Sequence, residues 1–160
     1  MRYGASELIM NASRNRGFTL IELIVVITIL GILAAFAVPK FIALDTQART
    51  ATIQGLAGSV RSAAALARGM SMATGSTASV TMEGSTVNLV NSYPDSSATG
   101  IAATINTSAG DFTFTAGATA STGPATWTKV GAPTPASCVV NYTPAAANGT
   151  PTITSVVTGC

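Results

Sequence analysis

Residues 18 to 38 read FTLIELIVVITILGILAAFAV, a run of 21 residues broken by one charge, Glu22. As an α-helix rising about 1.5 Å per residue, this run is about 32 Å long, enough to cross the hydrocarbon core of a bilayer. A core helix of a globular domain rarely stays apolar on every face for so long. Across the whole chain, 48% of residues are hydrophobic and 9% charged, against roughly 25% charged in an average soluble domain. Such a chain either sits in a membrane or buries much of its surface against other protein, and disorder is excluded.

The segment ahead of the run is polar and carries Arg2, Glu7, Arg14 and Arg16 before Gly17. Three arginines against one glutamate keep this end on the cytoplasmic side and place everything after Lys40 outside. A secretory signal peptide would end its apolar stretch at a small-residue cleavage site. Here the stretch runs instead into Pro39-Lys40-Phe41, so a leader, if removed, is the polar part in front. The cysteines agree with export. Only Cys138 and Cys160 exist, and two cysteines in an exported domain read as a disulfide, with a chain-entropy contribution of about 3 kcal/mol.

Glu22 lies about one turn into the apolar run. A carboxylate at the centre of a membrane helix costs about 2.5 to 3.5 kcal/mol, and less near the interface. Either Glu22 snorkels to the headgroups, or it finds a positive partner inside an apolar assembly. No basic side chain follows it before Lys40. Cutting after Gly17 would create a partner, the new α-amino group of Phe18.

Arg16-Gly17-Phe18-Thr19-Leu20-Ile21-Glu22 followed by an apolar run resembles the class III leader and N-terminus of type IV pilins and of the related pseudopilins. The resemblance is tight over about residues 14 to 41. It implies leader cleavage between Gly17 and Phe18, N-methylation of Phe18, and a role for Glu22 in registering the subunit against a neighbour's N-terminus. Gly31 and Pro39 fall where similar pilins carry a glycine and a proline. There the helix is expected to lose hydrogen bonds when packed in a filament, in keeping with a poor helix former and a missing donor. Pro39-Lys40-Phe41, Ala48-Arg49-Thr50 and Gln54-Gly55-Leu56 further resemble the mannose-sensitive haemagglutinin pilin group. Removing residues 1 to 17 leaves five basic and five acidic side chains, a neutral subunit suited to packing against copies of itself.

Beyond Pro39, Phe41, Leu44 and Ala48, then Ile53, Leu56, Val60, Ala63, Ala67 and Met70, recur at intervals of three and four, the stripe of an amphipathic helix. Gly55, Gly58 and Gly69 on that helix either admit a close neighbour or are tolerated because the domain supports them. Thr, Gly and Ser accumulate at 72–75, where the helix should end. Strand-like runs follow: 78–82 and 86–90 around Glu83-Gly84-Ser85, then 111–115, 125–130, 138–143 and 152–158. Tyr93-Pro94-Asp95 reads as a turn, and 95–106 as a connector holding a short helix. The expected fold is α+β. A long N-terminal helix, first membrane-spanning and then amphipathic, packs on a small antiparallel sheet, and a disulfide closes the C-terminal hairpin. Four segments follow: a cytoplasmic leader (1–17), an apolar helix (18–38), an amphipathic helix (39–75) and an exported β-rich head (76–160).

Chemistry is sparse. Histidine, the commonest general base and metal ligand, is missing. Glu83, Asp95 and Asp111 are scattered, read as solvated turn positions, and form no acid–base pair or calcium loop. Neither a P-loop nor a nucleophile motif occurs. Asn106, Asn141 and Asn148 begin glycosylation acceptor triplets, a weak signal. With a net charge of +2, nucleic acid is not an evident partner. No enzyme, metal or cofactor is expected. The resemblance implies a structural subunit, cut by prepilin peptidase and polymerised with itself into a type IV pilus for adhesion or motility. An inner-membrane assembly platform and an outer-membrane secretin would be its further partners. The precursor would be a single-pass inner-membrane protein with a cytoplasmic N-terminus, and the assembled pilus would be extracellular. The alternatives are a type II secretion pseudopilin, or a minor pilin or adhesive binding module.

Overall fold

The computed structural model describes residues 17–160. Of the expected leader, all but Gly17 lies outside the described residues. The chain divides into two compact units, the first ending at Phe41 and the second spanning Ile42–Cys160. One helix of 55 residues, α1 (Leu20–Thr74), runs through the boundary and contains Pro39.

Among the described residues of the first unit, the large apolar side chains of α1 are exposed throughout, from 76% at Leu20 to 47% at Val26. It is one described helix long and apolar enough to cross a membrane. Such a surface left in water forfeits about 25 cal/mol for each Å².

In the second unit, α1 is one-sided. Ile53, Leu56, Ala57, Val60, Ala64, Ala67 and Ser71 are buried, a face repeating every three to four residues. The stripe expected from spacing is right from Ile53 onward, except that Ala64 is fully buried while Ala63 and Met70 are only partly so. Phe41, Leu44 and Ala48 are exposed; burial begins at Arg49, whose Nη1 donates to the Cys160 carbonyl at 3.1 Å. The helix ends at Thr74 because Gly75 adopts φ +69°, the left-handed residue that commonly closes a helix.

Two antiparallel sheets cover this face, where one was expected. The first has the order β1-β2-β3, from β1 (Ser79–Met82), β2 (Ser85–Val90) and β3 (Tyr93–Pro94). Its hairpins turn at Glu83-Gly84 and Asn91-Ser92, all four residues having positive φ, as two-residue hairpins with the right twist require. The turn expected at Tyr93-Pro94-Asp95 is therefore two residues earlier. Pro94 pairs with Leu89 on an edge strand, where its missing donor is tolerated. The second sheet has the order β4-β5-β6-β7, from β4 (Phe112–Thr115), β5 (Ala125–Lys129), β6 (Val139–Thr143) and β7 (Thr152–Val156). Between the sheets lie a connector and a short 3-10 helix, Ile101–Thr104; it supplies no strand to join β3 to β4.

Trp127 and Tyr142 are the largest fully buried side chains and share one core with Ile53, Leu56, Val60 and Ile101. Phe112 and Phe114 pack on it from one face of β4, Phe114 at 4.9 Å from the Trp127 ring. Cys138 and Cys160 are joined, with Cα atoms 4.9 Å apart, and the disulfide links the residue before β6 to the segment after β7. Of the three acids read as solvated turns, Glu83 and Asp111 are exposed, whereas Asp95 is buried. Asp95 Oδ1 accepts from the Ser97 amide at 2.8 Å and from its hydroxyl at 2.5 Å. A Cβ on Gly100 would lie 1.8 Å from that oxygen, so only glycine fits there.

The Tyr142 hydroxyl donates to the Pro94 carbonyl at 2.6 Å, tying the two sheets together. Burial, and secondarily the Asp95 carboxylate, push its phenol above the usual range. A pKa raised by folding favours the folded state with the phenol protonated. The contribution is therefore complete below about pH 10, the ordinary tyrosine value, and is lost as pH rises beyond it. Thermal unfolding of the detergent-solubilised chain should show a midpoint that falls above pH 10. Tyr142→Phe should lower stability by about 1 to 3 kcal/mol at neutral pH and flatten the alkaline loss. Trp127→Ala should cost about 3 to 5 kcal/mol.

Candidate functional site

The site is the start of α1. Gly17 and Phe18 are exposed residues outside regular structure, ahead of the helix, and Thr19 is its cap. The Thr19 carbonyl accepts the first helical bond, from the Leu23 amide at 3.3 Å, and its Oγ1 accepts from the Glu22 amide at 3.3 Å. Glu22 reaches back: its Oε2 accepts from the Thr19 amide at 2.8 Å and from the Thr19 hydroxyl at 2.7 Å. This is a reciprocal capping box, in which two orphan donors at the helix start are satisfied by each other's side chains. The carboxylate also stands at the positive end of the helix dipole.

The local sequence explains the geometry. Threonine at 19 and glutamate at 22 are spaced for this exchange, and the apolar run begins at once behind them. The Glu22 carboxylate borders a shallow apolar concavity lined by Phe18, Ile21, Val25 and Val26. The arrangement holds one acid in a fixed place on an otherwise greasy surface, one turn from the Gly17–Phe18 bond. It offers a hydrogen-bond acceptor and a negative charge, and no nucleophile or metal-ligand set among the described residues.

Of the residues singled out from sequence, Gly17, Phe18 and Glu22 fall together at this end. Gly31 and Pro39 lie within the helix, which is continuous through both. Cys138 and Cys160 meet in the second unit. Thr19 joins Gly17, Phe18 and Glu22 at the start of α1: a threonine three residues before a glutamate and at the edge of an apolar run is the sequence signature of a capping box.

The family described as "Prokaryotic N-terminal methylation motif" matches residues 12–38. The N-terminal region is similar to that of type IV pilins. The type IV narrow pilus major component PilA5 of Thermus thermophilus is 56% identical over 54 residues, which cover 34% of this chain and 47% of that protein. The type IV major pilin protein PilA of Myxococcus xanthus is 58% identical over 36 residues, covering 22% of this chain and 16% of that pilin. The chain thus spans less than half the length of either pilin. No solved structure matches it.

The capping box makes a direct prediction for the start of α1. In micelles, Thr19→Ala should speed amide hydrogen exchange at Glu22 by roughly fivefold, the size of a lost cap, while exchange in the second unit stays unchanged. Equal exchange rates at Glu22 in the two proteins would show that the cap holds nothing.

Proposed function

We propose that the chain is a structural type IV pilin, made as a membrane-anchored precursor and polymerised with copies of itself. The observation that carries this reading is the bare apolar surface of α1 through Phe41, headed by a methylation motif. Lipid covers that surface in the precursor and neighbouring helices cover it in the filament, with burial at about 25 cal/mol per Å² driving assembly. Prepilin peptidase cuts after Gly17 and leaves Phe18 to be N-methylated. An inner-membrane platform and an outer-membrane secretin pass the fibre out of the cell. Adhesion or motility is the use of the finished filament.

Glu22 is the registering residue in this account. A neighbour's Phe18 amine neutralises the carboxylate inside the apolar bundle, where an unpaired charge would be costly. Since Thr19 occupies Oε2, the incoming amine takes Oε1 or displaces the cap. Gly31 and Pro39 mark where the packed helix gives up hydrogen bonds. The Cys138–Cys160 bond across the terminal strands supports a pilus subunit over a pseudopilin, which in this resemblance often carries a calcium-binding loop there.

Replacing the acid separates assembly from processing. In cells producing Glu22→Ala, leader cleavage should stay largely intact while the mass of sheared filaments drops sharply. Normal piliation in that variant would contradict the registering role.

A further inference from the structure

We propose that the second unit carries a binding site for an acidic sugar, a hydroxylated ring bearing one carboxylate, in a polar cavity between the end of α1 and two loops. The cavity is about 600 Å³ and is lined by Arg68, Thr77, Asn91, Ser92, Asn148 and Gly149. That volume suits a small ligand, and its lining offers hydrogen-bonding groups in place of the apolar walls common in such sites. No carboxylate is among the lining residues, and Arg68 is the one ionised side chain there.

Arg68 is already placed. Its guanidinium sits over the Tyr93 ring, 5.2 Å from the centroid, and Nη2's partner nitrogen, Nη1, donates to the Asn91 carbonyl at 3.4 Å. A guanidinium has five N–H donors in a planar fork matched to a carboxylate, so most of its capacity is left for a ligand. The walls are tied as well: the Asn91 amide donates to the Ala145 carbonyl at 2.8 Å, fastening the β2–β3 turn to the loop that bears Asn148. A site held in this way loses little freedom on binding.

Ser92 supplies the independent observation. It occupies a two-residue hairpin turn at φ +62°, and Asn148 stands at φ +57°. Glycine is the favoured residue after asparagine in such a turn, and a serine there accepts backbone strain. What the chain gains for that strain is a hydroxyl on the cavity wall. Thr77, Ser92 and Asn148 together present donors and acceptors to the hydroxyls of a sugar ring, and Arg68 meets its carboxylate. Polymerisation is not needed for this site, so the proposal stands apart from the pilus reading.

The test uses the full chain in detergent micelles, titrated with glucuronic acid, glucose and sodium sulfate and followed by amide chemical shifts. Glucuronic acid should shift residues 68, 77, 91, 92 and 148 together, with glucose and sulfate each binding roughly tenfold more weakly. Arg68→Gln should weaken glucuronic acid binding roughly tenfold, as expected for a lost charge-assisted hydrogen bond. Ser92→Gly, which suits the turn and keeps the fold, should weaken it roughly threefold. Glucose binding equally well, sulfate binding equally well, Ser92→Gly binding unchanged, or no shift with glucuronic acid would each overturn the proposal.

Discussion

The structure depends on an apolar helical surface that the described residues leave exposed. From Leu20 to Phe41 no side chain of α1 is buried, and the hydrophobic effect is indifferent to whether lipid or protein removes that surface from water. A precursor in a bilayer and a subunit in a bundle of like helices are therefore two solutions of one problem. In isolation the charge of Glu22 is held by Thr19 and the helix dipole; in an apolar bundle an acid there demands a cation, and under the proposed processing that cation is the new amine near the same helix end.

The second unit solves the opposite problem. Here α1 hides one face and shows the other, with Leu66 and Met72 still exposed on the outer side. Small side chains at Ala57, Ala64 and Ala67 let the strands approach, and bulk comes from the sheets as Trp127 and Tyr142. Tyr142 does more than fill space, since its hydroxyl reaches the first sheet from the second. At the other edge, Arg49 bonds both Asp45 and the Cys160 carbonyl, so the disulfide-closed segment is fastened to the helix as well as to β6. The Asp111–Lys129 pair at 3.1 Å is surface-facing and contributes little by comparison.

Much of this was legible because periodicity reports burial. The apolar run, the stripe from Ile53 to Ala67, the alternation of Phe112 and Phe114 and the terminal hairpin with its two cysteines each follow from a local pattern. The misses share a cause, which is that tertiary pairing overrode local signals. Pro94 reads as a turn but is held in an edge strand by Leu89. Asp95 reads as solvated but is buried with its own serine and a glycine that yields it space. Phe41, Leu44 and Ala48 continue the stripe, yet they are exposed. The division into two sheets has no sequence signal, because which strands pair is decided by contacts distant along the chain. At the candidate site the acid at the head of the apolar run was readable, and the capping role of Thr19 was present in the same four letters.

The most direct measurement is the mass of the N-terminal peptide of this protein from filaments sheared off living cells. The account predicts a peptide that begins at Phe18 and carries one methyl group on its amine. A cell-associated protein that retains residues 1 to 17, with none of it in any external fibre, would contradict the account at its root.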